Sequence, residues 1–112
     1  MTQHRSYVTA HVLDATAGTP APGVRVTLAD ETGEVLARAV TDEDGRVGKL
    51  GPEQLPSGVY RITFGTGEYF AARQQETFYP QVQVEVQIDE AQAHYHVPLL
   101  LSPFAYSTYR GS

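Results

Sequence analysis

At 112 residues, with 41% hydrophobic and 19% charged residues, the chain fits one globular domain, residues 1–112, and excludes wholesale disorder. A net charge of −5 leaves no electrostatic footprint for nucleic acid or an anionic membrane surface, and the absence of cysteine excludes a disulfide framework, a thiolate metal site and a cysteine nucleophile. No window approaches membrane-spanning length and no apolar signal region follows Met1, so a soluble cytoplasmic protein is expected.

The first element spans Ser6–Leu13, where Val8, Ala10 and Val12 point one way and Tyr7, Thr9, His11 and Leu13 the other. Asp14–Gly23 is rich in turn formers and reads as a long loop. Val24, Val26 and Leu28 alternate with Arg25 and Thr27 in a second strand. A hairpin-like connection through Gly33 leads to a third at Val35–Thr41. The turn at Thr41-Asp-Glu-Asp-Gly-Arg46 opens a short segment to Leu50, and Gly51–Gly58 is too punctuated for regular structure.

Val59–Phe64 alternates again, with Tyr60, Ile62 and Phe64 on one face. Residues Glu68–Gln75 are the one window favouring a helix, of two turns or so. Gln81–Ile88 carries the cleanest alternation, Val82, Val84, Val86 and Ile88 inward. Ala93–Leu101 and Tyr106–Arg110 complete the set. Strands at short spacing with one short helix describe an all-β protein, an antiparallel β-sandwich.

Chemistry-bearing residues cluster at the two ends. His11 lies on the face opposite Val8, Ala10 and Val12, outside the core; taken alone it reads as a solvent-facing histidine. His94 and His96 share a strand face, their Cα atoms roughly 6.6–7 Å apart, a spacing that zinc sites use. No thiolate exists and no third ligand suggests itself, so no metal is assigned. Tyr95, Val97, Leu99 and Leu101 form the other, core face of that strand. Arg46, Tyr109 and Arg110 each read singly as surface residues. Together, the outward histidines and the aromatic C-terminal stretch make a face too apolar to stand bare, which predicts an oligomer with a site at its interface.

His94-Tyr-His-Val-Pro-Leu-Leu-Leu-Ser-Pro103 and Tyr106-Ser-Thr-Tyr-Arg-Gly-Ser112 resemble the C-terminal signature of the transthyretin-related proteins that act as 5-hydroxyisourate hydrolases. The resemblance extends over nearly the whole chain. Thr9-Ala-His-Val-Leu-Asp14, Thr41-Asp-Glu-Asp-Gly-Arg46 and Gly58-Val-Tyr-Arg61 are similar to its earlier parts, as are Tyr69-Phe70 and Phe78-Tyr-Pro80. It implies a transthyretin-like antiparallel β-sandwich of two four-stranded sheets with one short helix. It also implies hydrolysis of 5-hydroxyisourate, the product of urate oxidation in purine catabolism, to 2-oxo-4-hydroxy-4-carboxy-5-ureidoimidazoline. The family's functional residues fall on His11, Arg46, His96 and Ser112, with Tyr109 and Arg110 as substrate-binding neighbours and His94 as a flanking residue. A homotetramer, a dimer of dimers with sites where the dimers meet, is implied too, without a cofactor. The rival within the family is a non-catalytic carrier, as transthyretin carries thyroid hormone in the equivalent channel. Outside it, a β-sandwich adhesion or carbohydrate-binding domain would explain the strands but not the histidines.

Overall fold

The alternating segments become strands of two sheets packed face to face, in a computed structural model that describes residues 6–111. In chain order the elements are β1 (Val8–Asp14), β2 (Thr19–Pro20), β3 (Arg25–Asp30), β4 (Val35–Val40) and β5 (Arg46–Val47). They continue with β6 (Gly58–Phe64), α1 (Thr66–Ala71), β7 (Val82–Ile88), β8 (Tyr95–Ser102) and β9 (Ala105–Thr108). One sheet has the order β4-β3-β6-β7 and is antiparallel throughout. The other runs β2-β1-β8-β9, with the two-residue β5 also paired to β1, which makes it five-stranded by count.

The inward faces follow the alternation. Val8 and Val12 of β1, Leu99 and Leu101 of β8, Val26 and Leu28 of β3, and Ile62 and Phe64 of β6 are all fully buried between the sheets. Burial of each such side chain stabilises the fold by about 1.5–3 kcal/mol, the main force holding the layers together. On β7 the ends are buried at Val82 and Ile88, while Val84 and Val86 are only partly covered, because this strand is a sheet edge.

Three details depart from the sequence reading. First, the central β1–β8 pair is parallel, in register from Val8 opposite Tyr95 to Asp14 opposite Leu101, within an otherwise antiparallel sheet. Alternation reports which face a residue takes but not strand direction, so this pairing was invisible in the pattern. Second, the helix begins and ends earlier than Glu68–Gln75. It spans Thr66–Ala71, and the chain closes it with Gln74 in the left-handed region (φ 55°), Gln75 N–H reaching back to Phe70 O at 2.9 Å. Third, Tyr7 is 1% exposed rather than outward. It lies before β1, where the two-residue period no longer holds. Its N–H donates to Pro52 O at 2.8 Å, its hydroxyl donates to Asp89 O at 2.9 Å, and its ring meets Tyr95 edge-on at 5.6 Å.

The helix is tied to the end of β1. Asp14 Oδ1 accepts the N–H groups of Thr16 and Ala17, each at 3.0 Å, while Oδ2 accepts the Tyr69 hydroxyl at 2.8 Å. One buried carboxylate thus starts the loop after β1 and anchors α1.

Candidate active site

Parallel pairing of β1 with β8 is what assembles the site. It sets Thr9 opposite His96 and His11 opposite Pro98, while antiparallel β5 sets Arg46 opposite His11. Residues directly across a ladder project from the same face, so Thr9, His11, Arg46 and His96 rise from one patch on the outside of the sandwich. The His11 and His96 rings are 6.4 Å apart, centroid to centroid, and tilted by 35°.

The turn before β5 delivers Arg46. Asp42 Oδ1 accepts the N–H groups of Asp44 and Arg46, each at 2.9 Å, and Gly45 N–H donates to Asp42 O at 2.9 Å. Gly45 has φ of 73°, and a Cβ there would lie 2.3 Å from Val12 O, so glycine lets the turn press onto β1. Pressed there, the turn gives Gly45 O to Val12 N–H at 2.7 Å and Asp44 O to His11 Nε2 at 2.9 Å. A carbonyl only accepts, so Nε2 carries hydrogen and neutral His11 keeps its lone pair on Nδ1. Among the described residues the Arg46 guanidinium, exposed, has no ion pair.

His96 is held from two sides. Its Nδ1 lies 2.7 Å from Thr9 Oγ1, which also lies 3.1 Å from His94 Nε2. From the other side, Gly111 N–H donates to His96 O at 2.8 Å, and a Cβ on Gly111 would come within 2.7 Å of His96 Cδ2. The C-terminal segment therefore docks on the histidine. A cleft of about 270 Å³ is lined by Thr9, Ala10, Arg46, Val47, Gly48, His94 and His96, with His11 standing beside it rather than in its lining. His96 also lines a second, more apolar cleft of about 310 Å³, together with Val84, Val86, Tyr95, Tyr109 and Arg110.

The HIUase/Transthyretin family model matches residues 8–111. The chain belongs to this family. The 5-hydroxyisourate hydrolase of Salmonella typhimurium is 47% identical over 109 residues, covering 94% of this chain and 80% of that protein. The solved 5-hydroxyisourate hydrolase of Klebsiella pneumoniae superposes with a TM-score of 0.89 at 41% identity, covering 96% of this chain and 99% of that one. Transthyretin from Sparus aurata superposes with a TM-score of 0.88 at 34% identity, covering 96% and 97%.

Of the site residues expected from the sequence, His11, Arg46 and His96 come together. Tyr109 and Arg110 line the second cleft instead, Arg110 donating to Gln92 Oε1 at 3.1 Å and sitting 4.9 Å from the Tyr95 ring centroid. They share that cleft with His96. Ser112 lies outside the described residues. Two residues that the sequence reading did not single out belong to the site, Thr9 and Gly111. Thr9 was visible as a neighbour of His11 on its face, but its link to His94 and His96 depends on the parallel register.

Proposed function

We propose that this chain is a 5-hydroxyisourate hydrolase of urate degradation, acting as one domain. The observation that carries the reading is the convergence of His11, Arg46 and His96 on one outward patch beside a cleft, in a chain whose relatives are hydrolases of that name.

The chemistry follows from residue types. Opening a cyclic amide-like C–N bond needs an activated water, stabilisation of the oxyanion formed on the attacked carbonyl, and a proton for the leaving nitrogen. Imidazoles exchange protons near neutral pH, so His11 and His96 share the first and third roles. Water adds to the carbonyl carbon as one imidazole accepts its proton. The tetrahedral adduct then collapses, the C–N bond breaks, and the nitrogen leaves with a proton from an imidazole. The Arg46 guanidinium, a planar cationic fork, suits urate-like oxygens and the developing negative charge. The Ser112 hydroxyl follows directly on Gly111, whose backbone bonds to His96, and we assign it a place in the site with Tyr109 and Arg110 as neighbours. Direct water attack requires no covalent intermediate and no cofactor.

The protein is proposed to work as a homotetramer, a dimer of dimers with sites where the dimers meet, in the cytoplasm. Supporting association, Phe78, Phe104 and Tyr109 are 72%, 61% and 58% exposed, more aromatic surface than a monomer comfortably carries. Among the described residues no helix is long and apolar enough to cross a membrane.

Likeness to a transthyretin keeps a carrier reading in view. Ultraviolet absorbance of freshly made 5-hydroxyisourate, followed with and without protein, separates the two. Protein should accelerate its decay many-fold; an unchanged decay rate with saturable binding would favour the carrier.

A further inference from the structure

We infer that Thr9 is a positioning residue whose hydroxyl joins His94 to His96 and sets which nitrogen of His96 serves the substrate, an inference that rests on the hydrolase reading above. Thr9 is 7% exposed, lies directly opposite His96 across the parallel ladder, and holds its Oγ1 at 2.7 Å from His96 Nδ1 and 3.1 Å from His94 Nε2. Its β-branching restricts χ1, so the hydroxyl is fixed where the strand puts it.

A hydroxyl has one hydrogen to give. If it donates to His96 Nδ1, it must accept from His94 Nε2–H, and neutral His96 then carries its own hydrogen on Nε2, leaving no lone pair there to take a proton from water. If instead His96 Nδ1–H donates to Thr9, the hydroxyl turns to an unprotonated His94 Nε2, and neutral His96 holds its lone pair on Nε2, the form that takes one. The base form of His96 and the imidazolium it becomes on taking a proton are therefore both matched to a His94 whose Nε2 is unprotonated. An imidazolium at either ring makes the hydroxyl an acceptor there, and its hydrogen then turns to the other ring, which must be neutral to receive it. Two imidazolium rings would leave that hydrogen without a ring acceptor and set like charges on either side of one oxygen. His94 is thereby more than a flanking residue, because it forms the far end of the device that keeps Nδ1 of His96 engaged and Nε2 committed to proton exchange. Among the described residues, titratable or charged groups that stand near the bridge are His11 on β1, Arg46 on β5 and Arg110 on the C-terminal segment.

The test replaces Thr9 by valine, which keeps the shape and removes the hydroxyl, and by serine, which keeps the hydroxyl. On 5-hydroxyisourate, Thr9→Val should lower kcat on the order of ten- to hundredfold with KM little changed and displace the pH profile of kcat, while Thr9→Ser recovers most of the loss. Nitrogen-15 NMR of the ring of His96, which does not depend on turnover, should show a changed tautomer in Thr9→Val. In the intact protein the His94 and His96 ring shifts should respond to the same two pH steps, as coupled groups do. A folded Thr9→Val variant with native kcat, pH profile and ring shifts would overturn the assignment, and so would independent titration of the two rings in the intact protein. Failure of the intact protein to accelerate hydrolysis would sink the hydrolase reading alone, because the ring measurements still decide the bridge.

Discussion

Gly111 shows how a residue without a side chain can act on the site. Its N–H bonds to His96 O, and the space a Cβ would need is already taken by the His96 ring at 2.7 Å and by Pro98 Cγ at 3.1 Å. Gly111→Ala must therefore push either the imidazole or the C-terminal segment by several tenths of an ångström. Since a displacement of about 1 Å in a catalytic group costs on the order of a hundredfold in rate, we expect kcat to fall about ten- to hundredfold while thermal stability changes little; steady-state kinetics and a melting curve check both. The outward position of His11 and His96 was legible from strand alternation and Arg46 from its place after the Asp-Gly turn, and the family resemblance singled out all three as candidates. The contributions of Thr9 and Gly111 were not legible, because each acts through a neighbour that only the strand order supplies.

At the scale of elements, the tie between β1 and α1 makes a prediction about pH. Burial first, and then the hydrogen bond to Asp14, push the Tyr69 phenol from 10.0 up to about 12. The folded chain thus keeps this phenol neutral in a range where the unfolded chain ionises it. Its stabilising contribution is complete below pH 10 and is lost as pH rises toward 12. Tyr7 and Tyr60, also raised by burial, act in the same direction. Tyr69→Phe should cost about 1–3 kcal/mol near neutral pH, since the Asp14 carboxylate loses a buried donor, and should flatten the alkaline decline. Urea unfolding midpoints measured across that range for both proteins test this; parallel curves would refute it. Strand faces were legible at this scale because apolar residues alternate at period two in β1, β3, β6, β7 and β8. The helix limits were not, since Gln74 closes α1 through a backbone conformation that no composition signals, and β2 and β5 are too short to have a period.

For the molecule as a whole, the parallel β1–β8 pair explains how residues from opposite ends of the chain make one site. Thr9 and His11 lie in the first half of β1, His94 just before β8 and His96 near its start, and the parallel register sets the two groups level with each other. The cleft they border is open, and aromatic residues stand exposed around the C-terminal hairpin. Light scattering should accordingly return about four times the 12.3 kDa chain mass; a stable 12.3 kDa species at micromolar concentration would contradict the proposed assembly. The sandwich class was legible from alternation, whereas this convergence was not, because hydrophobic patterns carry no information about direction.

The central claim is that the cluster around His96 hydrolyses 5-hydroxyisourate. It is tested most directly by the initial rate at which the absorbance of fresh 5-hydroxyisourate decays with the intact protein and with His96→Asn. Loss of a general acid–base group predicts a fall in kcat of about 10²–10⁴-fold for the variant. A folded His96→Asn protein that turns over substrate as fast as the intact one would contradict the account.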